Sequence, residues 1–312
     1  MKNLRGIMLP FPTPFDAGGG LDLRALQANI EKWNRTDVIG YVALGSTGER
    51  VHLSEREYTE VIVAAREVVP RELAFIVGAG QQSTVATIEE VRRAASAGAD
   101  AVLLLTPYFY RGAMTQDTLA DFFIKVADAA SIPVLLYSMP DLTGIALAPR
   151  TVARLSAHEN ILGIKDSSGD LINLAETLRL VESEFAVLTG SGPLLYAALS
   201  AGACGAILAA GCAAPQLACD IYRAVQAGEH ELARELQRVF SPLALAVTKL
   251  YGIGGLKAAM EMLGYTGGSV RAPLREASEE ARAEIARLVQ EAGLPESRAD
   301  EKEFRLAGVL NQ

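Results

Sequence analysis

Basic residues are in short supply: 29 lysines and arginines stand against 37 aspartates and glutamates in 312 residues, a formal net charge of −8. A chain this acidic is a poor partner for nucleic acid or an anionic membrane, so a small metabolite is the better-fitting ligand, held at most by a local basic site. Histidine is scarcer still. His52, His158 and His230 lie far apart with no ligand-spaced pair, so no metal site is expected. The three cysteines, Cys204, Cys212 and Cys219, have no CxxC spacing and sit among small residues. An odd count in that setting reads as reduced packing thiols in a cytoplasmic protein. Met1 to Leu9 carries two basic residues but no adequate apolar core, and no export signal is expected there. Charge is missing entirely between Glu184 and Asp220, which superficially suggests a membrane span. Glycines and a proline at 190, 192, 193, 202, 205 and 211 break that stretch repeatedly, and a buried parallel strand between close-packed helices gives the same apolar density.

Half of the residues are hydrophobic, ample for a full core. Short β-rich runs recur at Gly6 to Leu9, Gly40 to Leu44, Ala74 to Gly78, Ala101 to Leu105, Pro133 to Tyr137, Ile161 to Lys165, Ala186 to Thr189 and Gly205 to Leu208. Helix-length segments separate them, with signals such as the Ser54/Glu57 capping box before Val61, Ile62 and Val63. Eight β-then-α units predict an α/β fold, a closed (β/α)8 TIM barrel; an open doubly wound sheet usually needs fewer strands, and no GxGxxG follows the first one. From about Pro215 the strand signals stop, and amphipathic helical patterns run through 230–249, 254–263 and 276–291. The expected division is therefore a barrel over residues 1–228 and a C-terminal helical region over 229–312, in which Ser297 to Gln312 has no readable conformation.

In a barrel the chemistry collects at the C-terminal ends of the strands. Lys165 ends the run Ile161-Leu162-Gly163-Ile164 and precedes the polar Asp166-Ser167-Ser168-Gly169-Asp170. Desolvation at a buried strand end favours a neutral, nucleophilic amine, the species that forms a Schiff base, whereas an ordinary lysine there would reach out to solvent. Gly45-Ser46-Thr47-Gly48-Glu49 follows the second strand, and its glycines let backbone N–H groups approach a carboxylate; the same string also suits a plain turn. Tyr137 ends the fifth strand, where a phenol could relay a proton or simply pack. Thr189-Gly190-Ser191-Gly192 forms a second small-residue loop, a place for substrate or only a tight turn. Glu49 is expected to support its loop, and Asp166 and Asp170 to organise the turn after Lys165. An amine, a phenol and an anion cradle converging on one opening say more together than any one alone.

These strings resemble the dihydrodipicolinate synthase/N-acetylneuraminate lyase superfamily of class I aldolases. Gly45-Ser46-Thr47-Gly48-Glu49, Tyr137-Ser138-Met139-Pro140, Gly163-Ile164-Lys165-Asp166 and Arg271-Ala272-Pro273-Leu274 carry the resemblance over nearly the whole chain. It implies a TIM barrel with a C-terminal helical domain, commonly a homotetramer, that binds pyruvate as a lysine imine with no metal or other cofactor. By position, Lys165 would form the imine, Tyr137 relay protons, Ser46 partner its hydroxyl, Thr47 hold the pyruvate carboxylate, and Ile207 offer a backbone carbonyl.

Two positions depart from the synthase pattern. Leu142 stands where synthases usually carry an arginine for the aldehyde's carboxylate, a bidentate contact leucine cannot make. Phe109 stands where family members often lend a tyrosine across a subunit interface, leaving Tyr108 or Tyr110 as substitutes. Tyr108-Phe109-Tyr110-Arg111-Gly112, Asp166-Ser167-Ser168-Gly169-Asp170 and Gly264-Tyr265-Thr266-Gly267-Gly268 look most like the 4-hydroxy-2-oxoglutarate aldolase branch, although Thr47 replaces the asparagine expected there. In that branch Ser46 and Ser167 would orient the distal end of the substrate. The expected activity is reversible cleavage of a 4-hydroxy-2-oxo acid to pyruvate and an aldehyde. The alternatives are the synthase reaction with aspartate semialdehyde, a sugar-acid dehydratase, and a keto-acid-binding relative without turnover. A phosphosugar isomerase, with Gly190-Ser191-Gly192 as phosphate cradle, is the reading from a different enzyme class.

Overall fold

A computed structural model describes residues 3–294. Eight parallel strands, in chain order around the ring, close into a barrel: β1 (Ile7–Leu9), β2 (Gly40–Ala43), β3 (Ala74–Ala79), β4 (Ala101–Leu105), β5 (Val134–Ser138), β6 (Ile161–Asp166), β7 (Ala186–Thr189) and β8 (Gly205–Ile207). Crossover helices cover it: α1 (Leu23–Trp33), α2 (Glu55–Val68), α3 (Thr84–Ser96), α4 (Gln116–Ala129), the short α5 (Pro140–Thr143), α6 (Pro149–Ser156), α7 (Leu171–Leu180), α8 (Leu195–Ser200) and α9 (Pro215–Gln226). Then come α10 (His230–Leu245), continued by a π turn at Ala246–Leu250, α11 (Gly252–Met262) and α12 (Glu279–Glu291). This is the TIM barrel with a C-terminal helical domain expected from the sequence. Each strand run named there is present, with ends moved by a residue or so. β2 stops at Ala43 because Leu44 turns to φ +55°, outside the extended region. The pattern at 276–291 begins only at Glu279, where the Ser278 side chain caps the helix. Residues 297–312 lie outside the described part.

Strand alternation divides the apolar residues into two layers. Met8, Val42, Ile76, Leu103, Leu135, Leu188 and Ile207 fill the barrel interior. Their neighbours, among them Leu9, Ala43, Val77, Leu104, Leu136, Ile164 and Val187, pack outward under the helices. Strands buried on both faces read as nearly continuous apolar runs, which is why they stood out in the sequence. The uncharged stretch from 185 to 219 is divided among β7, α8, β8 and the start of α9, and among the described residues no helix is long and apolar enough to cross a membrane. Cys212 and Cys219 are buried in the outer layer; burial pushes the Cys219 thiol up to about 12 and Cys212 further still, as suits packing residues.

Candidate active site

Alternation also settles where Lys165 goes. Ile164 faces the helices, so Lys165 faces the interior, as does Tyr137, its register partner on β5. Both are shut away from water, at 4 % and 3 % exposure. The Lys165 Nζ donates to the Tyr137 Oη at 3.5 Å and lies 4.5 Å from the centre of the phenol ring. No carboxylate pairs with this ammonium among the described residues. On the other side, the Ser46 Oγ lies 3.2 Å from the same phenol oxygen. Amine, phenol and hydroxyl thus form a chain across the barrel mouth from β6 to the loop after β2.

That loop is a cradle narrower than the sequence suggested. The Gly48 N–H donates inward to the Gly45 carbonyl (3.1 Å), the Glu49 N–H to the Ser46 carbonyl (3.2 Å), and the Thr13 hydroxyl donates to the Gly48 carbonyl (2.7 Å). Gly48 is therefore spent on the turn itself. The Ser46 and Thr47 N–H groups have no protein acceptor among the described residues, which leaves them for an anion.

Glu49 holds the loop, in a conformation few non-glycine residues adopt (φ +54°). Its buried carboxylate accepts from the Lys257 Nζ (2.7 Å) and the Arg271 backbone N–H (3.0 Å), with His52 Nδ1 3.4 Å away. Lys257 also donates to the Thr13 and Ser269 carbonyls, at 2.8 and 2.6 Å. Burial pushes its ammonium below the ordinary lysine range, against the pull of Glu49. Sequence reasoning missed Lys257; the only signal was a lone cation flanked by Leu256 and Ala258 in an otherwise apolar turn of α11. Arg271, noted only as part of a motif, forks onto Glu57 in the first turn of α2. That hydrogen bond holds the Glu57 carboxyl down at about 2. A carboxyl so depressed adds stability above its unfolded value of about 4.3, and the contribution fades as pH falls toward 2. Urea midpoints of the parent and Glu57→Gln are accordingly expected to differ at pH 6 and to converge near pH 2; a constant gap would mean the charge plays no part.

The remaining sequence candidates are distributed unevenly. Ser167 sits over Gly190, where a methyl group would collide with the Ser167 Oγ and lie 3.0 Å from the Lys165 Cε. Gly190→Ala must displace either the serine or the lysine, and kcat/KM is expected to fall about 100-fold with the fold intact; unchanged kinetics would show that the two side chains have slack. Ile207 closes the interior beneath from β8, and the Ser191 N–H turns back to the Thr189 Oγ1 (3.1 Å). Asp166 accepts from the Ser168 N–H and Asp170 caps α7, both organising the turn as expected. The aromatics at 108–110 are not brought to the phenol: Tyr108 packs on the outer core, while Phe109 and Tyr110 are 72 % and 71 % exposed. Leu142 is 60 % exposed at the rim. His158 pairs with Asp128 and His230 packs edge-on to Tyr196, both away from the strand ends.

A (β/α)8 barrel with a buried lysine and phenol facing each other at its mouth defines a carbon–carbon lyase of the class I aldolase type. The model of the dihydrodipicolinate synthetase family matches residues 3–292, and the chain belongs to that family. It is 36 % identical over 282 residues to a 4-hydroxy-tetrahydrodipicolinate synthase of Methanothrix thermoacetophila, covering 90 % of this chain and 94 % of that one. Among solved structures it resembles the dihydrodipicolinate synthase of Thermotoga maritima (TM-score 0.88, 30 % identity, 93 % and 99 % of the two chains). It is similar also to YagE of E. coli K12, a prophage protein of the dihydrodipicolinic acid synthase family solved in complex with pyruvate (TM-score 0.87, 30 % identity, 94 % and 99 %).

Proposed function

We propose that this enzyme activates pyruvate as an imine on Lys165 and joins it to, or cleaves it from, an aldehyde. The observation that carries the reading is the Lys165–Tyr137–Ser46 chain, with its steps of 3.5 and 3.2 Å, beside two unclaimed N–H groups. The pyruvate carboxylate sits against the N–H groups of Ser46 and Thr47, which brings C2 to the Lys165 amine. Nucleophilic addition expels the keto oxygen as water, and the iminium draws electrons from the C2–C3 bond region, so that loss of a C3 proton leaves an enamine. The enamine C3 attacks the aldehyde carbonyl, Tyr137 delivers a proton to the new alkoxide, and Ser46 keeps the phenol aligned; cleavage is the reverse. Hydrolysis of the imine restores the amine.

As to the partner aldehyde, the curated relatives support the 4-hydroxy-tetrahydrodipicolinate synthase reaction, with aspartate semialdehyde, ahead of the 4-hydroxy-2-oxo acid cleavage first expected from the sequence. One observation favours the second reading: Leu142 occupies the rim position where synthases usually carry their carboxylate-binding arginine. The homotetramer implied by the resemblance is likewise a proposal, read out by sedimentation velocity.

The test is borohydride reduction in the presence of pyruvate, followed by mass mapping. We expect one adduct, on the peptide carrying Lys165. An adduct elsewhere, or none, removes the basis of the proposal. Aspartate semialdehyde and glyoxylate supplied in turn then separate the two reactions.

A further inference from the structure

We infer that Arg111, reaching across from the loop after β4, is the cation that recognises the carboxylate of the partner aldehyde. The inference rests on the imine reading and concerns the other half of the reaction.

Arg111 begins a short helical turn, Arg111–Ala113, but its side chain does not extend into water. It lies along Gly144, the residue that ends α5: a methyl group built there would be 2.7 Å from the Arg111 Nη1 and 3.0 Å from its Cδ. Gly144 has φ +69°. Its missing side chain therefore serves two ends, a left-handed turn and a seat for the guanidinium stem. β4 and β5 are neighbours, with Leu105 opposite Tyr137, so the two loops that meet here are the ones flanking the phenol. The seat places a guanidinium against the same short turn that carries Leu142, two residues before Gly144.

An arginine held in a fixed place normally has a protein carboxylate to hold it. Among the described residues Arg111 has no ion pair and no side-chain hydrogen bond. The nearest acid in sequence on that turn, Asp141, is already paired with Lys249. Packing fixes the stem while the five N–H donors stay unused, which is the state a recognition site requires: pre-organised and awaiting a planar, bidentate anion. The pyruvate carboxylate has its own N–H groups deep in the barrel, so the rim cation is left for the second substrate. That substrate class is an aldehyde bearing a carboxylate. Position 142 has lost the charge, and Arg111 supplies it from the adjacent loop.

The experiment compares kcat/KM for pyruvate condensation with aspartate semialdehyde and glyoxylate, both carboxylated, against glycolaldehyde, which is neutral. The parent is compared with Arg111→Met, Arg111→Lys and the double variant Arg111→Met/Leu142→Arg. The preference for carboxylated over neutral aldehyde is expected to fall roughly 10- to 100-fold in Arg111→Met, through the aldehyde KM. Arg111→Lys should retain part of it, and Leu142→Arg should restore part of it from the neighbouring position. A preference unchanged in Arg111→Met, or equal losses for charged and neutral aldehydes, would overturn the assignment. If the parent traps no pyruvate with borohydride, the imine reading itself falls and takes this one with it; trapping with no change in preference removes only the role of Arg111.

Discussion

Lys165→Ala is expected to lose borohydride trapping of pyruvate altogether and turnover by a factor of about 10⁴ or more, since the imine has no other route. The chain has one other buried lysine, Lys257, and the structure indicates why it does not substitute. Its three donors are committed to Glu49 and to the carbonyls of Thr13 and Ser269 at 2.6 to 2.8 Å, whereas the Lys165 amine has only the phenol of Tyr137, at 3.5 Å. Alanine at 165 removes a buried ammonium with no carboxylate partner, so the melting temperature should stay near that of the parent. Mass mapping of the variant after reduction with pyruvate decides the matter. An adduct that moves to Lys257 with activity retained would show that the wrong amine has been assigned.

The second large effect is on stability. Lys257→Met leaves the Glu49 carboxylate, which has no solvent exposure, without its cation. Breaking one side of a buried ion pair costs about 3–5 kcal/mol, because the surviving charge can reach neither water nor a partner. The urea midpoint of Lys257→Met should fall accordingly, and the KM for pyruvate should rise as the 45–49 loop loosens. Glu49→Gln/Lys257→Met removes both charges and should recover a substantial part of the loss; a double variant as unstable as the single one would mean that shape, rather than charge, holds the loop.

Much of the site was legible in the chain because its parts lie at strand ends, where sequence and geometry coincide. Lys165 and Tyr137 each close an apolar run, and period-two alternation alone puts both on the interior face. What could not be read were interactions between residues far apart in sequence. Lys257 and Glu49 are separated by 208 positions, and Arg271 and Glu57 by 214. No local pattern marks such pairs, since each charge taken alone resembles any surface charge. The loop at 108–110 misled for the opposite reason: its aromatics look like site residues, yet the folded chain leaves Phe109 and Tyr110 in solvent and turns Arg111 toward the next loop.

By itself, then, the sequence determined the eight-unit barrel, the helices after it and the identity of the nucleophile, because burial on both faces of a strand writes itself as an unbroken apolar run that ends where chemistry begins. Tertiary structure alone decided which N–H groups remain open to an anion, which lysine is free to react and which arginine faces the second substrate. Those are questions of where hydrogen-bond partners end up, and a donor's partners are chosen only when distant segments meet.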